Sequence, residues 1–230
     1  MNLHADFTRR VLLHADEIAW RTSPMKGVER RMLDRIGDEV ARATSIVRYA
    51  PGSSFSPHVH TGGEEFLVLE GVFQDEHGYF PEGSYIRNPP ESRHAPGSEP
   101  GCVIFVKLWQ FDLADRSHVR IDTAKLGSVA DATRPGVRAS PLFRDAREDV
   151  RIEEWAAGST VTLPTAGGAE LLLLDGGAVE SGEALRRHSW LRLPGDDEAT
   201  FAVGPAGARA WIKTGHLRFA DAPVVPPARH

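Results

Sequence analysis

Apolar and polar residues alternate along most of this chain in short runs, bounded by glycine, proline and acidic turns. Ala43–Tyr49 (ATSIVRY) is rich in β-branched residues and closes at Pro51-Gly52, as a strand entering a turn does. His58-Val59-His60 reads as the next strand, Thr61-Gly62-Gly63 as a turn, and Glu64–Glu70 (EEFLVLE) as a second strand ending at Gly71. Asp75–Gly78 marks another turn, Ser84–Arg87 a short strand, and Asn88-Pro89-Pro90 a forced bend. Cys102–Phe111 (CVIFVKLWQF) is the strongest strand. Asp16–Trp20 reads as a short edge strand, whereas Val28–Leu33 and Asp34–Asp38 mix charges with apolar residues without a clean period. Short strands at turn-delimited intervals with few helical patterns predict an all-β barrel or sandwich.

The pattern then repeats. Residues 112–140 are polar and less regular, and beyond them Thr165-Ala-Gly-Gly-Ala-Glu-Leu-Leu-Leu-Leu-Asp-Gly176 mirrors His60–Gly71 at an offset of 105. Leu193–Glu198 mirrors Pro89–His94 at an offset of 104, and Ala208–Thr214 mirrors Cys102–Leu108. Such a repeat predicts two copies of one β-barrel unit. The expected organisation is a lead-in over 1–45, a first barrel over 46–115, a linker over 116–140, a second barrel over 141–220 and a flexible tail over 221–230.

The chemistry concentrates in the first copy. Side chains two apart on a strand share a face, so His58 and His60 point the same way, and a hairpin through Gly62-Gly63 brings back one of Glu64 and Glu65. Three of the ten histidines, His58, His60 and His94, fall in this segment. Imidazole nitrogens with a carboxylate suit a divalent transition metal. In the second copy the positions of His58, His60, Glu64 and His94 become Leu163, Thr165, Ala169 and Glu198, which cannot form such a site. His188 and His216 stand at no ligand-like spacing and read as surface or core histidines.

Gly52, His58, His60, Glu64 and Gly71 match the spacing of the first motif of the cupins, and Pro89–His94 resembles the second, with Glu91 where that family has glycine. The chain thus resembles a bicupin, two tandem jelly-roll-like β-barrels, with one live site. The resemblance implies His58, His60, Glu64 and His94 as ligands to one divalent transition metal (Fe, Zn, Mn or Ni), and turns Glu65 to the opposite face, as a barrel-surface carboxylate or a partner behind the ligands. The runs HVHTGGEEFLVLEGVFQDEHG and GCVIFVKLWQ resemble the ChrR-type cupin domain and related dioxygenase-like cupins. Two functions follow from that resemblance. One is a mononuclear non-haem metal dioxygenase acting on a small, diketone-like molecule, with Arg87, Glu76 and His77 as candidate polar handles, each otherwise a solvated turn or strand residue. The other is a Zn-binding sensor or regulatory module without catalysis. ChrR-type regulators also carry a sigma-binding domain with a His/Cys zinc motif; this chain has one cysteine, which puts sigma-factor binding in doubt. A homodimer is a further implication of the family.

Charge and composition narrow the partners. A net charge of −5 with no dense Lys/Arg stripe argues against nucleic acid. No apolar run approaches the length of a membrane span, and the N-terminus lacks a sustained apolar segment with a cleavage site, so a cytoplasmic protein is expected. The single cysteine, Cys102, excludes an intramolecular disulfide and reads as a buried, inert thiol.

Overall fold

A computed structural model describes residues 1–38, 40–195 and 198–221. No α-helix occurs among them; strands and a few 3-10 turns make up the regular structure. The expected tail lies almost entirely outside the described residues. Two compact units divide the chain, the first built from Met1–Ala5 and Ala19–Ala124, the second from Asp6–Ile18 and Lys125–Ala220.

In the first unit an antiparallel sheet runs, in spatial order, through Asn2–Leu3, Val28–Gly37, Ala41–Tyr49, Cys102–Leu108, Glu64–Asp75, Ser84–Asn88 and Val119–Asp122. A separate two-stranded ladder pairs His58–His60 with Ser92–His94. One face of the sheet carries the apolar cluster of Val28, Val47, Phe66, Val68, Phe73, Ile86, Ile104 and Val106. The second unit repeats the order with Val137–Arg144, Asp149–Trp155, Glu198–Thr214, Ala169–Glu180, Ser189–Leu193 and Val11–His14. Its core includes Trp155, Leu163, Leu171, Leu173, Leu191, Phe201 and Ile212. Each unit is a β-barrel of the expected all-β class.

Several local expectations are corrected. Residues 1–45 are not a separate lead-in. Val11–His14 pairs with Ser189–Leu193 in the second unit, while the charge-rich Val28–Gly37 is a ten-residue strand of the first. That strand lacks a clean period because a bulge between Met32 and Asp34 shifts its alternation by one residue. Asp16–Trp20 is not an edge strand. Ala15–Glu17 is a 3-10 turn whose Asp16 and Glu17 carboxylates both pair with Arg186. The region expected as a linker contains Val119–Asp122, paired with Ser84–Asn88 and so closing the first sheet, and Val137–Arg144 already belongs to the second.

Candidate metal centre

The His58–His60 strand lies antiparallel to Ser92–His94, with His58 opposite His94 and His60 opposite Ser92. That register gathers all three imidazoles on one face, and one ring nitrogen from each falls within a 4.8 Å set. The Gly62-Gly63 turn then delivers Glu64. Gly63 adopts a left-handed φ of 78°, and a Cβ on Gly62 would lie 2.0 Å from the Trp109 ring, so neither position has room for an ordinary side chain. Glu64 Oε2 stands 3.5 Å from Nε2 of His60 and 3.5 Å from Nε2 of His94.

The arrangement fits a metal ion. Nε2 of His60 and His94 approach to 2.8 Å, lone pair toward lone pair unless a proton or a cation lies between them. Donor atoms about 2.1 Å from one ion lie roughly 3.0–3.4 Å apart at octahedral or tetrahedral angles, close to the 2.8 Å and 3.5 Å separations among His60, His94 and Glu64. The second ring nitrogens of His58 and His94 are engaged. His58 Nδ1 donates to the Ser56 carbonyl at 3.2 Å, and His94 Nδ1 donates to Asp75 Oδ2 at 3.2 Å. Both bonds leave Nε2 as the free donor atom. Asn88 Nδ2 donates to Glu64 Oε2 at 3.2 Å and holds the carboxylate in place.

Asp75 and Asn88 were not anticipated from the sequence. They reach the site through strand pairing, Asn88 opposite Glu64 and Asp75 at the far end of the Glu64–Asp75 strand, rather than through a local motif. Burial opposes protonation of His94, but the Asp75 hydrogen bond and the charges of Glu64, Asp75 and Glu76 outweigh it and raise its pKa. His60 moves the other way: burial dominates, and the neighbouring His94 and His58 add to it against Glu64.

Glu65, opposite Arg87 and Lys107, is buried on the other face of the sheet and accepts a 2.6 Å hydrogen bond from the Tyr85 hydroxyl. It is not a barrel-surface carboxylate. Arg87 is not solvated either; it is fully buried, pairs with Asp115 at 2.8 Å and lies 4.1 Å over the Phe111 ring. Glu76 and His77 are exposed, and Glu76 accepts the Ala95 backbone N–H. Cys102 is buried, and burial pushes its thiol up to about 11. His216 is a core histidine bonded to Glu170 at 3.0 Å. In the second unit Leu163 pairs with Ala199, so the counterpart of His94 is Ala199 and not Glu198; the strand pairings match Asn88 to Leu193 and hence Pro194 to Pro89, whereas the motif alignment sets Pro194 against Pro90.

Comparison with known proteins agrees with the two-barrel fold. Residues 8–112 match the ChrR cupin-like domain. Over nearly the whole chain the fold matches the Cupin 2 conserved barrel domain protein of Leptotrichia buccalis, with a TM-score of 0.57 and 11% identity across 85% of this chain and 92% of that one. The chain has a bicupin fold, and its first half is similar to the ChrR cupin-like domain. A candidate dioxygenase from Nostoc punctiforme matches the bicupin with a TM-score of 0.75 and 14% identity, over 96% of this chain and 88% of that one. The anti-sigma-E factor ChrR of Cereibacter sphaeroides is 35% identical over 102 residues, 43% of this chain and 44% of ChrR. The bicupin therefore spans less than half the length of that relative. Among the described residues no helix is long and apolar enough to cross a membrane.

Three of the four donor residues line a cavity of about 290 Å³. His58, His60 and Glu64 lie along one wall, and Val28, Val47, Ile104, Val106, Leu108 and Trp109 supply apolar walls. Tyr49 also lines it. Burial, and then the Glu64 charge, keep its phenol protonated at any ordinary pH.

Proposed function

We propose that the first unit holds one divalent transition metal through His58, His60, Glu64 and His94 and acts, as a dioxygenase, on a small oxygen-bearing molecule in the adjoining cavity. The observation that carries this reading is the convergence of His58, His60, Glu64 and His94, the first three of which line a largely apolar space large enough for a small organic ligand. A site whose donors face a cavity leaves room for a substrate beside them, unlike a closed structural centre. An ion held there would supply Lewis-acid polarisation of a chelating oxygen and, if redox-active, access to chemistry with dioxygen.

The chain's own groups have defined parts. Asp75 keeps the proton on His94 Nδ1, so that Nε2 presents its lone pair, and Asn88 fixes the Glu64 carboxylate. The Tyr49 phenol stays neutral and offers a hydrogen-bond donor inside the cavity. The apolar side chains on the walls lower the local dielectric, which strengthens each of these interactions. The fold neighbour from Nostoc punctiforme, a candidate dioxygenase, is in keeping with this assignment.

The match to ChrR supports a second reading, a zinc-holding regulatory module. Elemental analysis of untagged protein, followed by oxygen uptake with a panel of β-diketones and 2-oxo acids, separates the two. About one iron per chain with oxygen uptake is expected. One tightly held zinc, with no oxygen uptake after exchange to Fe(II), would replace the enzyme reading with the regulatory one.

A further inference from the structure

The cavity beside the donor set has a charge imbalance that a neutral ligand would not use. Its wall carries two guanidinium groups, Arg30 and Arg35, against a single carboxylate, Glu64, which is already turned toward the imidazoles. Both arginines come from the strand Val28–Gly37. They are five residues apart and would face opposite ways on a regular strand, but the bulge between Met32 and Asp34 restores them to one side. Arg30 stands opposite Val47 and Arg35 opposite Ala43, both of which also line the cavity.

Neither guanidinium forms an ion pair among the described residues. Arg30 donates from Nη2 to the Ser23 hydroxyl at 2.7 Å, while its Nε is buried with no acceptor. Arg35 uses Nε on the Gly37 carbonyl at 3.2 Å and Nη2 on the Asp38 carbonyl. Of five N–H donors on each group, most of those on Arg30 remain unused. Burying a guanidinium without a carboxylate is costly, and burial followed by the neighbouring Arg35 charge destabilises charged Arg30, with Tyr49 a smaller opposing influence. An anion relieves that cost. With a divalent ion at the donor set, the cavity would carry four positive charges against one negative, a stronger demand for an anionic guest.

We infer that the cavity is built for a small carboxylate-bearing molecule, whose carboxylate pairs with Arg30 and Arg35 while its other oxygens face His58, His60 and Glu64. The second half of this statement rests on the metal reading above; the first half stands on the arginines alone. Guanidinium and carboxylate match in planar, two-point geometry, so recognition by these residues selects carboxylates over neutral ketones of the same shape.

Pyruvate and its methyl ester make the test, since both present adjacent carbonyl oxygens and differ by a carboxylate for a neutral ester. Calorimetric titration of the full chain, with metal content measured on the same sample, is expected to give pyruvate binding at least ten-fold tighter than the ester. R30Q is expected to lose that ten-fold preference, R35Q part of it, and both to keep wild-type metal content and wild-type ester binding. Equal affinity for the two probes, or pyruvate binding unchanged in both variants, would overturn the inference. If the wild type holds no metal yet binds pyruvate through Arg30, the metal reading fails and the carboxylate site stands. If R30Q does not fold, R35Q and the wild-type probe ratio still decide.

Discussion

The two units place the same strands in the same order, yet treat the two faces of their sheets differently. On one face the first unit carries His58, His60, Glu64 and His94, where the second has Leu163, Thr165, Ala169 and Ala199. On the other face the units agree closely. Glu65 lies between Arg87 and Lys107 on adjacent strands, as Glu170 lies between Arg192 and Lys213, and all six are buried. The aromatic donor is matched too: Tyr85 O–H reaches Glu65 at 2.6 Å, and Trp190 Nε1–H reaches Glu170 at 3.3 Å. Buried charges are expensive unless paired, so their presence in both units marks them as part of the barrel's architecture. The histidine set occurs in one unit only, and the other folds with an apolar core in its place. What the fold requires is therefore separable from what the chemistry requires.

The sharpest way to break this comparison is to truncate matched positions. His94→Ala or His58→Ala is expected to abolish metal retention while leaving the first barrel folded, and His188→Ala to leave metal content unchanged. Leu163→Ala, at the position matching His58, is expected to leave metal content unchanged and cost the second unit about 2–5 kcal/mol, because it empties a fully buried site. Elemental analysis and denaturant unfolding of the same samples check both. Equal metal loss from His188→Ala would end the one-site reading.

Acid should also separate the units. In the second, Glu153 is fully buried and accepts from Arg134 at 2.6 Å, Arg151 at 2.7 Å and Trp155 at 2.8 Å. Burial alone would raise its pKa, but these hydrogen bonds and charges outweigh burial and depress it below the ordinary 4.5. A depressed carboxylate contributes stability that is present above pH 4.5 and is lost as pH falls through the folded value. Glu153→Gln is expected to cost about 1–3 kcal/mol at pH 7, since it removes a buried charged acceptor from two guanidiniums that keep Asp131 and Asp149 as their other carboxylate partners. It should also flatten the acid limb of the second unit's stability curve. In the metal-free first unit the raised His94 acts in the opposite sense: its contribution is present below the ordinary 6.5 and is lost as pH rises through the folded value. Unfolding monitored from pH 3 to pH 8 should resolve the two senses.

A smaller effect is expected behind the ligands. Asp75→Ala removes the acceptor that holds the His94 Nδ1–H, and loss of such a partner costs roughly 10–100-fold in metal affinity. Competition against a chelator measures it. Affinity unchanged from wild type would mean that strand pairing alone orients His94.

The ligand set was legible in the sequence because it obeys local rules. His58 and His60 share a face by strand alternation, a glycine turn returns Glu64, and the Pro-Pro bend precedes His94. The residues that support and surround it obey no local rule. Asp75 and Asn88 arrive through hairpin register. Arg30 and Arg35 lie in a stretch whose alternation a bulge resets, so their common face cannot be counted from spacing. The displaced match of His94 to Glu198 has a related origin: the first unit has two successive prolines and the second only Pro194, so a motif aligned on the wrong proline carries a one-residue error that the His58–His94 and Leu163–Ala199 pairings correct. Fold class survives such errors because it depends on many strands; a ligand assignment depends on one position.

The turn before His94 offers the finest distinction. Glu91, where the cupin motif has glycine, adopts φ 69°, and its backbone N–H donates to the His60 carbonyl at 3.0 Å. The turn thus forms without glycine, and the hydrogen bond ties the two ligand strands together. Its side chain is exposed, so the left-handed backbone is held by the turn and not by side-chain packing. A side chain with a Cβ in this region costs about 1–2 kcal/mol relative to its preferred conformation, which glycine avoids, although glycine gives back part of that through the greater freedom of the unfolded chain. Glu91→Gly is therefore expected to stabilise the first unit by about 0.5–1 kcal/mol with metal affinity unchanged, and Glu91→Pro to destabilise it, because proline cannot reach a positive φ and removes the N–H bonded to His60. Chemical denaturation of the metal-loaded protein reads both. A destabilised Glu91→Gly would mean that the carboxylate, and not the backbone, maintains the turn.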